Sequence, residues 1–289
     1  MRYASLEEFL TTGKAALARG PVAMILAEDA VEVSSTVRHH LAAGFAALLL
    51  LTDPQVPLDP ELEPQVHRID LDPLADLAMI HAVNRVIQEA PGIWLYYGYN
   101  AEYLFHPFCE TRRIRELLTF HTEERRDALL SYVVDLYADD LTLFPNAVSL
   151  DRAHLDRSGY YALAREDAAN NHAPKERQLD FYGGLRWRFE EHVPYTRRRI
   201  DRIALFRTKP GLILRPDFTV SDEEYNTYAC QWHHNITTVV ASFRTAKALR
   251  TNAGSREQIK SFKWHNSVPF AWHSQQLMDL GMMEPGQWF

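Results

Sequence analysis

The fold follows from Val22-Ala23-Met24-Ile25-Leu26, five consecutive apolar residues near the start of the chain. A short, uninterrupted apolar run of this kind is typical of a strand that is buried on both faces, as in a parallel sheet. Amphipathic patterns on either side predict helices over Leu6–Arg19 and Asp29–Ala43. This part of the chain therefore predicts a buried strand between two helices.

The alternation of strands and helices continues along the first third of the chain. Apolar runs predict strands over Phe45–Leu51, Val66–Ile69 and Ile93–Tyr97, and an amphipathic pattern predicts a helix over Leu74–Glu89. This order is typical of a parallel sheet with crossover helices. Ligands of such sheets bind beyond the carboxyl ends of the strands, so acidic residues there are candidates for a binding site. They are Glu28, Asp29, Asp53 and Glu102.

The second half of the chain is less regular. We predict a strand over Ala128–Tyr137, followed by a mostly polar stretch over 139–171. The later elements are predicted strands over Arg202–Arg207, Leu212–Leu214 and Tyr228–Trp232 and predicted helices over Thr237–Arg250 and Ser274–Leu280. Because no repeat or flexible linker separates the two halves, we predict one α/β domain over residues 1–289.

Composition limits the classes of protein to which the chain can belong. Apolar residues make up 46% and charged residues 24%, as in ordinary globular proteins. With 31 basic against 38 acidic residues the net charge is −7, which argues against non-specific binding to nucleic acids. Two cysteines cannot form a disulfide framework, and the sequence has neither a signal-peptide pattern nor an apolar run of transmembrane length. We expect a cytoplasmic protein, either free or bound peripherally to a membrane.

Several common enzyme motifs are missing from the sequence. There is no Gly-x-Gly-x-x-Gly after the first strand, no phosphate-binding Gly-x-x-x-x-Gly-Lys-Ser/Thr loop and no Gly-x-Ser-x-Gly elbow. The adjacent histidines His39-His40 and His233-His234 do not have the spacing of zinc ligands. Dinucleotide-dependent oxidoreductases, P-loop enzymes and α/β-hydrolases are therefore disfavoured.

A series of short phrases runs through the chain in a characteristic order. They are Glu28-Asp29, His39-His40-Leu41-Ala42-Ala43-Gly44-Phe45, Asp53, Trp94-Leu95-Tyr96-Tyr97-Gly98, Tyr99-Asn100-Ala101-Glu102-Tyr103-Leu104, Val134-Asp135-Leu136-Tyr137, Gly183-Gly184-Leu185-Arg186-Trp187-Arg188-Phe189, Arg202-Ile203-Ala204-Leu205 and Trp232-His233-His234. In order and spacing they resemble the GT-A-type glycosyltransferases of family 2, in particular the bacterial family 2-like branch, over residues 20 to 280.

The resemblance implies a GT-A fold, a Rossmann-like mixed sheet flanked by helices with a C-terminal helical extension. It implies inverting transfer of a sugar from a nucleotide-sugar to a glycan or glycoconjugate acceptor in polysaccharide synthesis. The chain would divide into a nucleotide-binding half (20–110), an acceptor-side half (111–235) and the extension (236–289). The residues that the resemblance assigns to the nucleotide are Glu28, Asp29, Asp53, Tyr99, Arg186, Arg198, Arg199 and Arg202.

The sequence departs from the family at its metal site. The family holds a divalent cation, Mn²⁺ or Mg²⁺, through an Asp-x-Asp phrase, whereas this chain has Tyr99 and Ala101 at those positions and keeps only Glu102. Three alternatives follow. Arginines replace the metal as the clamp on the diphosphate, or Glu102 holds the metal together with His233, or the chain is a relative that binds nucleotides or glycans and has lost the transfer activity.

Inverting transfer also needs a carboxylate that takes the proton of the acceptor hydroxyl. Asp139-Asp140 and Glu190-Glu191 lie in predicted loops, and spacing does not choose between them. With Glu102, Asp139 and Asp140 are the candidate catalytic residues.

Overall fold

The computed structural model describes residues 1–288 as an α/β protein. Its strands are β1 (Arg2–Tyr3), β2 (Val22–Ala27), β3 (Ala47–Thr52), β4 (His67–Asp70), β5 (Trp94–Tyr99), β6 (Glu102–Phe105), β7 (Ala128–Asp135), β8 (Tyr137–Ala138), β9 (Ala153–Asp156), β10 (Tyr161–Asp167), β11 (Ala173–Tyr182), β12 (Asp201–Arg207), β13 (Thr238–Ser242) and β14 (Ser267–Pro269). Its α-helices are α1 (Leu6–Glu8), α2 (Val33–Ala43), α3 (Ala78–Glu89), α4 (Ile114–Glu123), α5 (Gly184–Arg188), α6 (Arg244–Thr251) and α7 (Ser274–Asp279).

Nine strands form one mixed sheet in the order β1-β4-β3-β2-β5-β12-β7-β13-β6. The strands from β1 to β5 pair in parallel, β12 runs antiparallel to β5, and β13 pairs in parallel with β7. A large mixed sheet with helices confirms the predicted α/β class.

The chain divides into two compact units. Unit 1 consists of residues 1–104, 109–129 and 203–226, and unit 2 consists of residues 105–108, 130–202 and 227–289. Each unit is assembled from separate stretches of the chain, so the units do not follow the predicted segments 20–110, 111–235 and 236–289.

Unit 1 is built on the strands that the apolar runs predict. Every residue of β2 and β3 is buried, because parallel strands with helices on both faces need apolar side chains at consecutive positions. The predicted strands and the helices α2 and α3 are confirmed to within a few residues. The stretch Leu6–Arg19 is not one amphipathic α-helix; it consists of the single turn α1, a π-helix over Phe9–Gly13 and a 3-10 helix over Lys14–Arg19.

Unit 2 contains β13 paired with β7, a three-stranded antiparallel sheet in the order β14-β9-β8, and the hairpin of β10 and β11. The sequence does not predict β9, β10 or β11. β9 is buried but has only four residues, two of them polar, and β10 and β11 are polar strands that are largely exposed or half-buried. An apolar cluster around Tyr137, Leu185, Leu249 and Phe262 forms part of its core.

Three other predictions in the second half of the chain are wrong. The helix predicted over Thr237–Arg250 is a strand, β13, followed by α6, because the β-branched run from Thr237 to Val240 favours an extended, fully buried strand. The predicted extension over 236–289 is therefore not purely helical. The predicted strands at Leu212–Leu214 and Tyr228–Trp232 are isolated bridges, Leu214 with Val220 and Ala229 with His234.

Candidate functional site

The carboxyl ends of β2 and β5 are joined by the buried side chain of Asn100 in unit 1. Its Nδ2 donates to Oδ1 of Asp29 at 2.6 Å and to the carbonyl of Val31 at 2.8 Å, and its Oδ1 accepts the N–H of Glu28 at 2.9 Å. This hydrogen bonding fixes the loop after β2, where two of the predicted nucleotide-binding residues lie half-buried.

The third predicted acid of this edge follows β3. Thr52 pairs with Ala27 in the parallel register, so Asp53 and Glu28 are the next residues on adjacent strands. Asp53 is exposed, and its Oδ1 accepts the N–H of Gln55 at 2.7 Å in a turn. Strand pairing thus brings Glu28, Asp29 and Asp53 to one edge of the sheet, as predicted.

The turn between β5 and β6 occupies the position of the Asp-x-Asp phrase. Ala101 has φ of +58°, a left-handed conformation that is costly for a residue with a Cβ. The turn is held by two hydrogen bonds, from Tyr99 N–H to Oε2 of Glu102 at 3.0 Å and from Ala101 N–H to Oγ1 of Thr36 at 2.9 Å. Glu102 therefore has a structural role in stabilising a strained turn.

The side chains at this turn do not suit a divalent cation. Tyr99 and Ala101 offer no carboxylate, and Glu102 is only 1% exposed, with one oxygen accepting a backbone N–H. Across residues 1–288, no three His, Cys, Asp or Glu side chains are grouped so that they could hold a metal ion. No catalytic step is therefore assigned to a metal at this position.

A hydroxyl pair that the sequence does not predict lies next to this turn. Oγ of Ser35 on α2 lies 2.5 Å from a carboxylate oxygen of Glu32 and 2.8 Å from Oη of Tyr103 on β6. Burial raises the pKa of the Tyr103 hydroxyl, so it remains protonated. The spacing of Glu32 and Ser35, one helical turn apart, is the only sequence signal of this contact.

In unit 2, a buried carboxylate at the end of β9 accepts hydrogen bonds from three side chains. Asp156 accepts hydrogen bonds from the hydroxyl of Tyr137, from Nε1 of Trp264 at 2.7 Å and from Nη1 of Arg188, which lies 3.1 Å from both carboxylate oxygens. The guanidinium of Arg188 also stacks on the Trp264 ring at 4.4 Å. The charge of Asp156 is thus balanced by Arg188, and both of its oxygens accept hydrogen bonds.

A second buried carboxylate belongs to Asp135, the last residue of β7, which pairs with the last residue of β13. Its Oδ2 accepts the N–H of Leu185 at 2.9 Å, and Nε of Arg186 lies 3.9 Å from its Oδ1. Burial raises the pKa of Asp135, and the nearby Arg186 and Thr245 counteract only part of this effect. The two phrases at 134–137 and 183–189 therefore meet at one buried polar cluster, formed by Asp135, Tyr137, Asp156, Tyr160, Arg186 and Arg188.

The adjacent glycines of the second phrase give this cluster its shape. Gly184 has φ of +62°, and a Cβ there would lie 2.9 Å from Oδ2 of Asp135. A Cβ on Gly183 would overlap the ring of Tyr160. Glycine is thus required at both positions, by close approach as well as by backbone conformation.

The residues predicted as general bases have local partners. Asp139 accepts a hydrogen bond from Nη2 of Arg152 at 2.9 Å, and Asp140 caps a turn by accepting from the N–H and hydroxyl of Thr142. The alternative, Glu190, forms an ion pair with Arg198 at 2.8 Å. None of these contacts places them in the cluster around Asp135.

The predicted arginines lie in unit 2 and are engaged with acceptors. Arg186 donates to the hydroxyl of Thr245 and to the carbonyl of Arg199, and Arg199 forms ion pairs with Asp180 and Asp201. Arg198 pairs with Glu190, and Arg202 is buried.

The predicted metal pair is divided between the two units. His233 belongs to unit 2, where its Nδ1 lies 2.8 Å from the carbonyl of His234, and Glu102 belongs to unit 1.

Two clefts in unit 1, of about 350 and 500 Å³, contain none of the predicted site residues. Both are lined by Gly92, just before β5, and therefore lie towards the amino end of that strand.

No family model matches the chain, and no curated protein matches it significantly. No helix within residues 1–288 combines the length and apolar character needed to cross a membrane.

Proposed function

We propose that the protein is a GT-A-like, cytoplasmic glycosyltransferase that uses a nucleotide-sugar donor and a glycan or glycoconjugate acceptor. The observation that carries this proposal is the contact between Asp135 and the Gly184–Arg188 turn. These residues belong to two of the phrases that resemble family 2, and they are brought together although fifty residues separate Asp135 from Leu185. Phrases that serve one site are expected to converge in this way.

The nucleotide-binding part of the proposal rests on the edge of the sheet in unit 1. Glu28, Asp29 and Asp53 follow the carboxyl ends of two neighbouring parallel strands, where ligands of α/β sheets bind. Carboxylates accept hydrogen bonds from ribose hydroxyls and from N–H groups of bases. They repel phosphates, so the diphosphate needs a cation from elsewhere.

Arginine is the better candidate for that cation because the turn at Tyr99–Glu102 does not suit a metal. Guanidinium groups match phosphate oxygens in geometry. Of the predicted arginines, Arg198 has the most exposed partner, since the side chain of Glu190 is 56% exposed and can return to water when a phosphate replaces it. We therefore propose Arg198 as the main phosphate contact and transfer without Mn²⁺ or Mg²⁺.

The second candidate function is binding of a nucleotide or glycan without catalysis. It is favoured by one observation, the replacement of both metal-binding aspartates by the buried residues Tyr99 and Ala101. A protein that no longer transfers a sugar has no need to stabilise the charge on a leaving diphosphate.

Calorimetry with UDP and GDP, in the presence and absence of Mn²⁺, tests both candidates. The proposal expects binding of one nucleotide without metal, and release of that nucleotide from its sugar conjugates when acceptors are added. Metal-independent binding without release would support the non-catalytic function. Absence of binding to either nucleotide would overturn the transferase and the nucleotide-binding form of the second candidate. Binding only with Mn²⁺ would overturn the arginine clamp.

A further inference from the structure

Two oxygen atoms of the buried polar cluster lack hydrogen bonds. Oη of Tyr160 is inaccessible to solvent and has no partner among residues 1–288. Oδ1 of Asp135 is equally buried and accepts no hydrogen bond of normal distance and angle from residues 1–288. A buried polar atom without a partner is costly, so two of them in one cluster indicate a binding role.

The two oxygens belong to side chains that lie next to each other. The Tyr160 ring packs on Gly183 and the Asp135 carboxylate packs on Gly184, and consecutive Cα atoms are only about 3.8 Å apart. Tyr160 also interacts electrostatically with Asp135, Asp156 and Tyr137. A single small group can therefore contact both side chains.

The remaining hydrogen-bonding capacity defines the chemistry of that group. Both oxygens of Asp156 already accept hydrogen bonds, whereas Oδ1 of Asp135 and the hydroxyl of Tyr160 do not, so this pair offers one acceptor and one group that can donate or accept. The charges of Asp135 and Asp156 are balanced by Arg186 and Arg188. A neutral group that both donates and accepts fits this pair, and a hydroxyl is such a group.

We propose that Asp135 and Tyr160 form a binding site for one hydroxyl group of a neutral sugar or polyol. Identifying that ligand with the acceptor rests on the proposed function, whereas binding of the hydroxyl does not.

The site lies close to the surface of unit 2. Tyr160 is partly exposed although its hydroxyl is buried. Next to it, Trp187 packs against Gly159 and is 42% exposed. An exposed aromatic ring beside a polar pair suits the apolar C–H face of a sugar whose hydroxyl enters the pair.

Saturation-transfer NMR on the full chain provides the test, with the methyl glycosides of glucose, galactose and mannose, and with glycerol, as probes. We expect at least one probe to bind the wild type. Tyr160→Phe should bind that probe at least tenfold more weakly and keep the wild-type melting temperature, because the hydroxyl that it loses has no protein partner. Asp135→Asn should weaken binding too, whereas the matched control Tyr161→Phe, which removes a hydroxyl from the adjacent exposed tyrosine, should not.

Three results would overturn the site. The first is that no probe binds the wild type, and the second is that Tyr160→Phe and the wild type bind the probe with equal affinity. The third is a lower melting temperature of Tyr160→Phe with unchanged affinity, which would mean that the pair holds only an ordered water. Loss of UDP and GDP binding alone would overturn the proposed function and leave the hydroxyl site standing.

Discussion

The backbone N–H of Leu185 donates a 2.9 Å hydrogen bond to the carboxylate of Asp135, fifty residues earlier in the chain. This bond joins the start of α5 to the end of β7. It is possible only because Gly184 has no side chain, since the carboxylate occupies the space that a Cβ would need. The fit between these residues holds the polar cluster of unit 2 in place.

Gly184→Ala tests this fit. The left-handed backbone costs alanine about 1 kcal/mol, and the contact with Oδ2 of Asp135 should add about 1–2 kcal/mol through displacement of the buried carboxylate. The control is Gly281→Ala, because Gly281 has a similar φ, +69°, and open space around it. Urea unfolding should show a clearly larger loss for Gly184→Ala. Equal losses would mean that the carboxylate moves aside freely.

His121 should make stability depend on pH. Burial lowers its pKa from 6.5 to about 4, and the hydrogen bond between Nε2 and the carbonyl of Ala128 offsets only part of this effect. The buried Nδ1 has no acceptor among the described residues for a second proton. A lowered pKa means that stability is present above pH 6.5 and is lost as the pH falls towards 4. The difference between the two pKa values corresponds to about 3 kcal/mol of stability.

Urea unfolding at pH 7 and pH 4.5 checks this effect. His121→Gln, which can keep the donor to Ala128, should reduce the loss of stability at the lower pH. His81→Gln, which removes an exposed histidine of α3, serves as the control and should unfold like the wild type at both pH values. If His121→Gln loses as much stability between pH 7 and pH 4.5 as the wild type, other groups cause the pH dependence.

Two substitutions of Glu102 distinguish a structural role of this residue from a catalytic one. Glu102→Gln keeps an oxygen that can accept the N–H of Tyr99, so stability and nucleotide binding should stay near those of the wild type. Glu102→Ala leaves this buried N–H without its acceptor and should cost about 1–3 kcal/mol. Thermal unfolding and calorimetry with UDP measure the two effects. If Glu102→Gln folds normally but loses nucleotide binding or turnover, the carboxylate belongs to the active site after all.

Arg198→Ala tests the proposed phosphate contact. Loss of one charge-assisted bond should weaken binding of UDP or GDP about tenfold at low salt, and the difference should shrink as salt is raised. Arg256→Ala is the matched control, since Arg256 is also a surface arginine of unit 2 paired with a glutamate. Calorimetry at two salt concentrations measures the affinity of each variant and its dependence on salt. Equal nucleotide affinities of the two variants would mean that Arg198 does not contact the phosphates.

The accuracy of the sequence-based predictions depends on burial. The strand at Val22–Ala27 and its parallel neighbours were predictable because strands buried on both faces have to be continuously apolar. The hairpin of β10 and β11 was not, because its residues are mostly exposed or half-buried and show no apolar alternation. At Thr237–Arg250, the boundary between β13 and α6 is invisible to periodicity, since both elements are rich in buried residues.

The candidate site shows the same division. The clustering of Glu28, Asp29 and Asp53 could be predicted, because carboxyl ends of adjacent parallel strands always meet at one edge. The role of Glu102 could not be predicted, since it depends on a strained turn. In that turn the backbone N–H of Tyr99 donates to Glu102, and the N–H of Ala101 donates to Thr36 on α2.

The sequence by itself determined that the protein has a parallel α/β core and where its acidic strand ends lie, because those features depend on local apolar runs. Only the tertiary structure decided that Asp135, Asp156 and Tyr160 share one buried cluster on the Gly183-Gly184 turn. Contacts between residues so far apart in the chain depend on strand order and on the close approach of backbones, and neither is encoded in the local pattern of residues.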